Sequence, residues 1–143
     1  MAAESTATTV WEGDLAHGKG TTSPGSGAFP DVEVTWASRT ARSAGKTSPE
    51  ELLAGAHASC YCMALSHELG GAGNAPERLE ATATVTFVPG EGVKSSHVVV
   101  RGRVPGIDQA AFEEAARGAA ENCPISAALK GNVDISVDAT LES

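Results

Sequence analysis

Aromatic side chains are scarce: Phe, Trp and Tyr make up 4% of the 143 residues. A core built here must rely on Ala, Val and Leu, which bury little area each, so further burial is expected from a partner subunit. Basic residues are also in deficit, with 10 Lys and Arg against 18 Asp and Glu and a formal net charge of −8. That balance excludes charge-driven binding of nucleic acid or of an anionic membrane. The opening MAAESTATTV lacks a basic region followed by an apolar run, so no secretory leader is expected. Ser143 ends no lipidation motif. Only three cysteines occur, and in an unexported chain they point to the reducing cytoplasm, free or redox-active rather than bridged. No internal repeat stands out, and the length predicts one domain over residues 1–143.

What is present centres on TSPEELLAGAHASCYCMALSHELGG, Thr47 to Gly71. Ser48 reads as an N-cap, with Pro49 at the first helical position and Glu51 placed to close a capping box. Glu50 and Glu51 suit the positive end of the helix dipole. Gly70 and Gly71 supply a stop, giving a helix of about five to six turns. Apolar residues go most of the way round it, which implies burial in a core or a membrane. His57, Ser59, Ser66 and His67 interrupt the run and argue against a membrane span.

Around that helix the pattern alternates. Thr6 to Trp11 reads as a strand, Thr21 and Thr22 as part of a second, and Val32 to Trp36 as a third. Ser23 to Pro30 is a Pro- and Gly-rich loop. Ser38 to Lys46 reads as an irregular connection carrying Arg39 and Arg42. Leu79 to Phe87 and Val98 to Val104 form two more strands about a turn at Pro89 to Gly92, with Arg101 and Arg103 on a solvated face. Asp108 caps a helix that breaks at Asn122–Cys123–Pro124, and Pro124 opens a short helix ending at Gly131. Val133 to Leu141 is the last strand. Strands in blocks with helices between them predict an α+β fold with antiparallel sheet.

Cys60, mid-helix, reads first as packing. To react it must be a thiolate, which burial opposes, and it lies too far from the helix N-terminus for the dipole to help. A cation would have to come from elsewhere; Arg39 and Arg42 read first as solvated charges, and the sharper reading is that one of them supplies it. Cys123 is either a small residue at a cap or a thiol favoured by backbone N–H groups. His57, one turn before Cys60 on the same face, is a packed histidine or a base. Cys62 points away from Cys60 and reads as packing. Cys60, Cys62, Cys123 and His57 match no common zinc spacing, so no metal is expected.

TSPEELLAGAHASC, ENCPIS, WEGDLAHGKGT and VPGID occur in an order that resembles the OsmC/Ohr family of organic-hydroperoxide peroxidases, nearest its OsmC branch, over almost the whole chain. The resemblance implies an OsmC-like α+β fold, with antiparallel sheets wrapped around long central helices in an intertwined homodimer. It implies that Cys60 is the peroxidatic cysteine and Cys123 the resolving one, with Arg39 stabilising the thiolate and Glu50 orienting Arg39. Each site would draw its cysteines from one subunit and Arg39 and Glu50 from the other. Arg42 is the alternative to Arg39. An apolar pocket lined by Leu53, Met63, Phe112 and Ile125 would suit alkyl or fatty hydroperoxides. No cofactor is implied; an external dithiol, lipoyl-type or on a lipoylated protein, would reduce the Cys60–Cys123 disulfide in oxidative or osmotic stress. The alternative is a hydroperoxide- or apolar-ligand-binding or sensing protein with little turnover.

Overall fold

The computed structural model describes residues 2–41 and 44–142, so Arg42 lies outside the described residues. In chain order the elements are β1 (Ala7–Glu12), β2 (Lys19–Pro24), β3 (Val32–Val34), α1 (Trp36–Thr40), α2 (Pro49–Gly71), β4 (Arg78–Val88), β5 (Gly92–Arg103), α3 (Gln109–Asn122), α4 (Pro124–Leu129) and β6 (Asp134–Glu142). They form an α+β structure in two compact units, one through Leu52 and one from Leu53. No described helix is long and apolar enough to cross a membrane.

In the N-terminal unit β1, β2 and β3 make an antiparallel sheet in sequence order. Trp11 lies opposite Gly20, where a Cβ would stand 2.9 Å from the indole ring. The stretch after β3 departs from the irregular connection the sequence predicts, because Thr35 and Ser38 close a reciprocal capping box. Ser38 N donates to Thr35 Oγ1 at 3.0 Å and Thr35 N to Ser38 Oγ at 2.9 Å. The box starts α1 and puts Arg39 on a helical turn.

The start of α2 follows the sequence: Glu51 N donates to Ser48 Oγ at 3.0 Å and Pro49 opens the helix. Glu51 turns its carboxylate to the Thr47 hydroxyl at 2.7 Å. The helix ends at Gly71, as expected, but the closing turn is made by Gly73. Gly73, at φ +85°, takes the left-handed position, and Asn74 N reaches back to Leu69 O at 2.8 Å. This is a Schellman closure, which needs a residue tolerant of positive φ.

In the C-terminal unit β5 is the central strand. Its pairing with β4 is antiparallel, but β6 runs parallel to β5, so the expectation of purely antiparallel sheets needs correcting for this strand. The cause is topological: α3 and α4 carry the chain back across the sheet, and a parallel return needs such a crossover. Asp108 caps α3 as expected, accepting from Ala111 N at 2.9 Å. The core joins Tyr61, Leu65 and Leu69 of α2 to Val98 and Val100 of β5 and to Phe112, Ala119 and Cys123. Tyr61 Oη donates to Ala116 O at 2.9 Å, tying α2 to α3. Gly102 is bare because Phe112 covers it; a Cβ there would fall 2.6 Å from the ring.

Burial on α2 is one-sided within the chain. His57, Tyr61, Leu65 and Leu69, four residues apart, form the covered stripe. Ala56, Ser59 and Met63 are exposed, Met63 by 72%. The all-round apolar composition therefore exceeds what one chain covers.

Candidate active site

Helix periodicity sets His57 and Cys60 one turn apart on α2. Cys123 is the joint between two helices: its N–H closes α3 on Ala119 O at 2.8 Å, and its C=O opens α4 by accepting from Ala127 N at 2.9 Å. Pro124 enforces the break, since it can only begin the next helix. The joint brings Cys123 into the core against which Cys60 packs, close enough for each thiol to shift the other's protonation. None of the three cysteines is bridged.

Their protonation tendencies diverge. Burial pushes the Cys60 thiol up; the Ile125 N–H works against this, while the neighbouring Cys123 adds to it. Burial also pushes Cys123 up, but there the Ser126 hydroxyl and N–H, the Cys60 thiol and the Ile125 N–H prevail and bring it below its ordinary value. Within this unit Cys123 is thus the readier thiolate. Cys62 is pushed up by burial, with the Ala81 backbone working against it.

His57 is fully buried with both ring nitrogens engaged, Nδ1 with Ser96 Oγ at 2.6 Å and Nε2 with Ser126 Oγ at 2.7 Å. Burial holds its pKa below the ordinary value, so the ring is neutral. The sequence reading gave no role to Ser96 or Ser126. The alternation that turns Val98 and Val100 inward also turns Ser96 inward, and a polar residue on a core face calls for a partner. Ser126, three residues after the capping Cys123, falls in the first turn of α4.

The N-terminal unit holds the other two expected residues together. Arg39 donates to Glu50 through Nε at 3.0 Å and Nη2 at 2.9 Å. Glu50 is 7% exposed, and the guanidinium carbon stands 6.0 Å from the centre of the Trp36 ring. Beside them opens a hollow of about 290 Å³ whose walls include Trp11, Val34, Trp36, Pro49 and Leu52. These apolar residues, not singled out from the sequence, surround Arg39.

Of the four expected lining residues, Ile125 packs against the core that holds Phe112. Phe112 has no exposed surface and belongs to the core, where it covers Gly102, so it does not line an open pocket. Ile125 and Leu53 are half-buried. Met63 borders a separate surface hollow with Cys62 and His67. Among the described residues no three His, Cys, Asp or Glu side chains gather as a metal site would require.

Residues 42–138 match the family described as OsmC-like protein. The chain is 38% identical over 136 residues to peroxiredoxin OsmC of Escherichia coli (strain K12), covering 93% of each. Among solved structures it resembles the organic hydroperoxide resistance protein OhrB of Bacillus subtilis, with a TM-score of 0.68, 27% identity and coverage of 96% of this chain and 98% of that one. An OsmC-like protein from Mycoplasma pneumoniae shares the fold at a TM-score of 0.75 and 17% identity, each chain covered in full.

Proposed function

The chain belongs to the OsmC-like protein family, and from that premise we propose that it is a thiol-dependent peroxidase reducing organic hydroperoxides to alcohols. The observation that carries this reading is the placing of Cys60 against the core that holds Cys123, where each thiol influences the other. Cys60, as thiolate, attacks the O–O bond, expels an alkoxide that takes up a proton, and becomes a sulfenic acid. Cys123 condenses with it to a disulfide and releases water. An external dithiol, of lipoyl type, restores both thiols by exchange.

Cys60 needs a cation, because burial alone holds its proton on. Arg39, oriented by Glu50, fills that role from a partner subunit in a homodimer whose chains each form one OsmC-like domain in the cytoplasm. Exposed apolar surface supports the pairing: β1 is exposed along its whole length, with Val10 at 59% and Trp11 at 40%, and α2 exposes Met63. Trp11, Trp36 and Val34 beside Arg39, with Leu53, Met63 and Ile125, supply apolar surface for an alkyl chain. The raised pKa of the Cys60 thiol favours a second reading, in which the protein binds or senses hydroperoxides with little turnover.

Cumene hydroperoxide with a dihydrolipoyl donor separates the two. As an enzyme the protein turns over; Cys60→Ser loses turnover, and Cys123→Ser reacts once and then overoxidises. Binding without consumption in the unmutated protein, or equal consumption in all three, removes the peroxidase reading.

A further inference from the structure

The mechanism proposed above gives no work to the most deeply buried polar cluster in the C-terminal unit. Ser96 from β5, His57 from α2 and Ser126 from α4 form an unbroken chain of contacts at 2.6 and 2.7 Å, and all three are buried. The chain ends beside a sulfur: Ser126 lies three residues after Cys123, in the first turn of the helix that Cys123 opens, both residues are buried, and the Ser126 hydroxyl favours the Cys123 thiolate. A neutral imidazole carries one N–H and one lone pair, so it accepts from one serine and donates to the other. With the proton on Nε2, the ring donates to Ser126 Oγ and accepts from Ser96 through Nδ1. Ser126 must then aim its own proton elsewhere, and the Cys123 sulfur is an acceptor within the same turn of α4. The opposite tautomer would turn the Ser126 proton toward the ring and away from the sulfur.

We infer that His57 is a positioning residue for Cys123: through the Ser126 hydroxyl it holds a hydrogen-bond donor on that sulfur and so speeds the closing of the disulfide, not the attack on the hydroperoxide. The inference rests on the assignment of Cys123 as the resolving thiol. In that step Cys123 Sγ bonds to Cys60 Sγ and the S–O bond of the sulfenic acid breaks. The hydroxyl leaves and, with the proton given up by Cys123, becomes water. The Cys60 sulfur is reduced from the sulfenic to the disulfide level as the Cys123 sulfur is oxidised to it, so no further oxidant is required. The ionisable neighbours of Cys123 are Cys60 and Tyr61, both on α2, and His57 through one hydroxyl. Tyr61 is pushed up by burial and stays neutral, leaving Ser126 as the side-chain donor that His57 can set.

The test follows the two steps separately. In single turnovers with one equivalent of cumene hydroperoxide, peroxide loss and disulfide formation are timed for the parent, His57→Phe, His57→Gln and Ser126→Ala. His57→Phe removes both ring nitrogens, whereas His57→Gln keeps an amide that can donate to Ser126. In parallel, the pH midpoint of Cys123 alkylation by iodoacetamide is read in a Cys60→Ser background. In His57→Phe and Ser126→Ala, disulfide formation is expected to slow about tenfold and the midpoint to rise by about one pH unit. Peroxide loss stays within about twofold of the parent, and His57→Gln retains most of the disulfide rate. An unmoved midpoint in Ser126→Ala overturns the inference, whatever Cys60 does and whether or not His57→Phe folds. So does an equal fall in both steps, or a glutamine variant as slow as the phenylalanine one, since either marks His57 as packing alone. A parent that forms no Cys60–Cys123 disulfide overturns instead the peroxidase assignment, and the alkylation midpoint still judges the hydroxyl's action on Cys123.

Discussion

Arg39 grips Glu50 through two guanidinium nitrogens, Nε at 3.0 Å and Nη2 at 2.9 Å, with the carboxylate almost wholly buried. A two-point contact fixes the plane of the guanidinium, which a single hydrogen bond would leave free to rotate. The carboxylate comes from the first turn of α2 and the arginine from the capped turn of α1, so two local helix signals meet in one ion pair.

If Arg39 lowers the Cys60 pKa, Arg39→Ala raises the pH at which Cys60 becomes reactive and slows peroxide consumption by about a hundredfold. Arg39→Lys restores only part of the rate, because a lysine keeps the charge and loses the fork. The pH profile of peroxide consumption measures both. A loss in Arg42→Ala with none in Arg39→Ala would move the role to Arg42.

His57 gives the fold an acid sensitivity. Its pKa is held below the ordinary value by burial. Below about pH 6.5 the unfolded chain takes up a proton there that the folded chain refuses, so stability falls as pH falls, by at most about 1.4 kcal/mol per pH unit. The stability is present above that pH and is lost through the range below it. Urea unfolding between about pH 7 and 5 reads the slope, and His57→Gln removes this component.

Gly102→Ala should be strongly destabilising for its size. The added methyl would meet the Phe112 ring at 2.6 Å, inside a core with no room to give. Overpacking of this kind amounts to about 1–3 kcal/mol. Thermal unfolding measures it, and a melting temperature equal to the parent's would contradict the tight packing described between β5 and α3.

A carboxylate on the uncovered apolar surface tests the proposed dimer. Met63→Asp or Val10→Asp should shift the protein toward monomer in sedimentation, because an unpaired charge resists burial. If Arg39 reaches Cys60 across the proposed dimer, turnover should fall with the dimer. A dimer of unchanged strength in both variants would rule out these surfaces as the interface.

The sequence alone determined the elements whose signals are local. Ser48 and Pro49 start α2, Asp108 caps α3, Pro124 breaks α3 from α4, and period-two alternation marks β4, β5 and β6; each acts within a few residues, so no distant partner is needed to read it. It missed α1, because the Thr35–Ser38 box is short and carries no acidic residue to advertise it. Only the tertiary structure decided the parallel register of β6, the burial of Phe112 against Gly102, and the joining of Ser96, His57 and Ser126. Those depend on which faces of separate elements meet. Packing settles that across the chain, and residue spacing carries little trace of it.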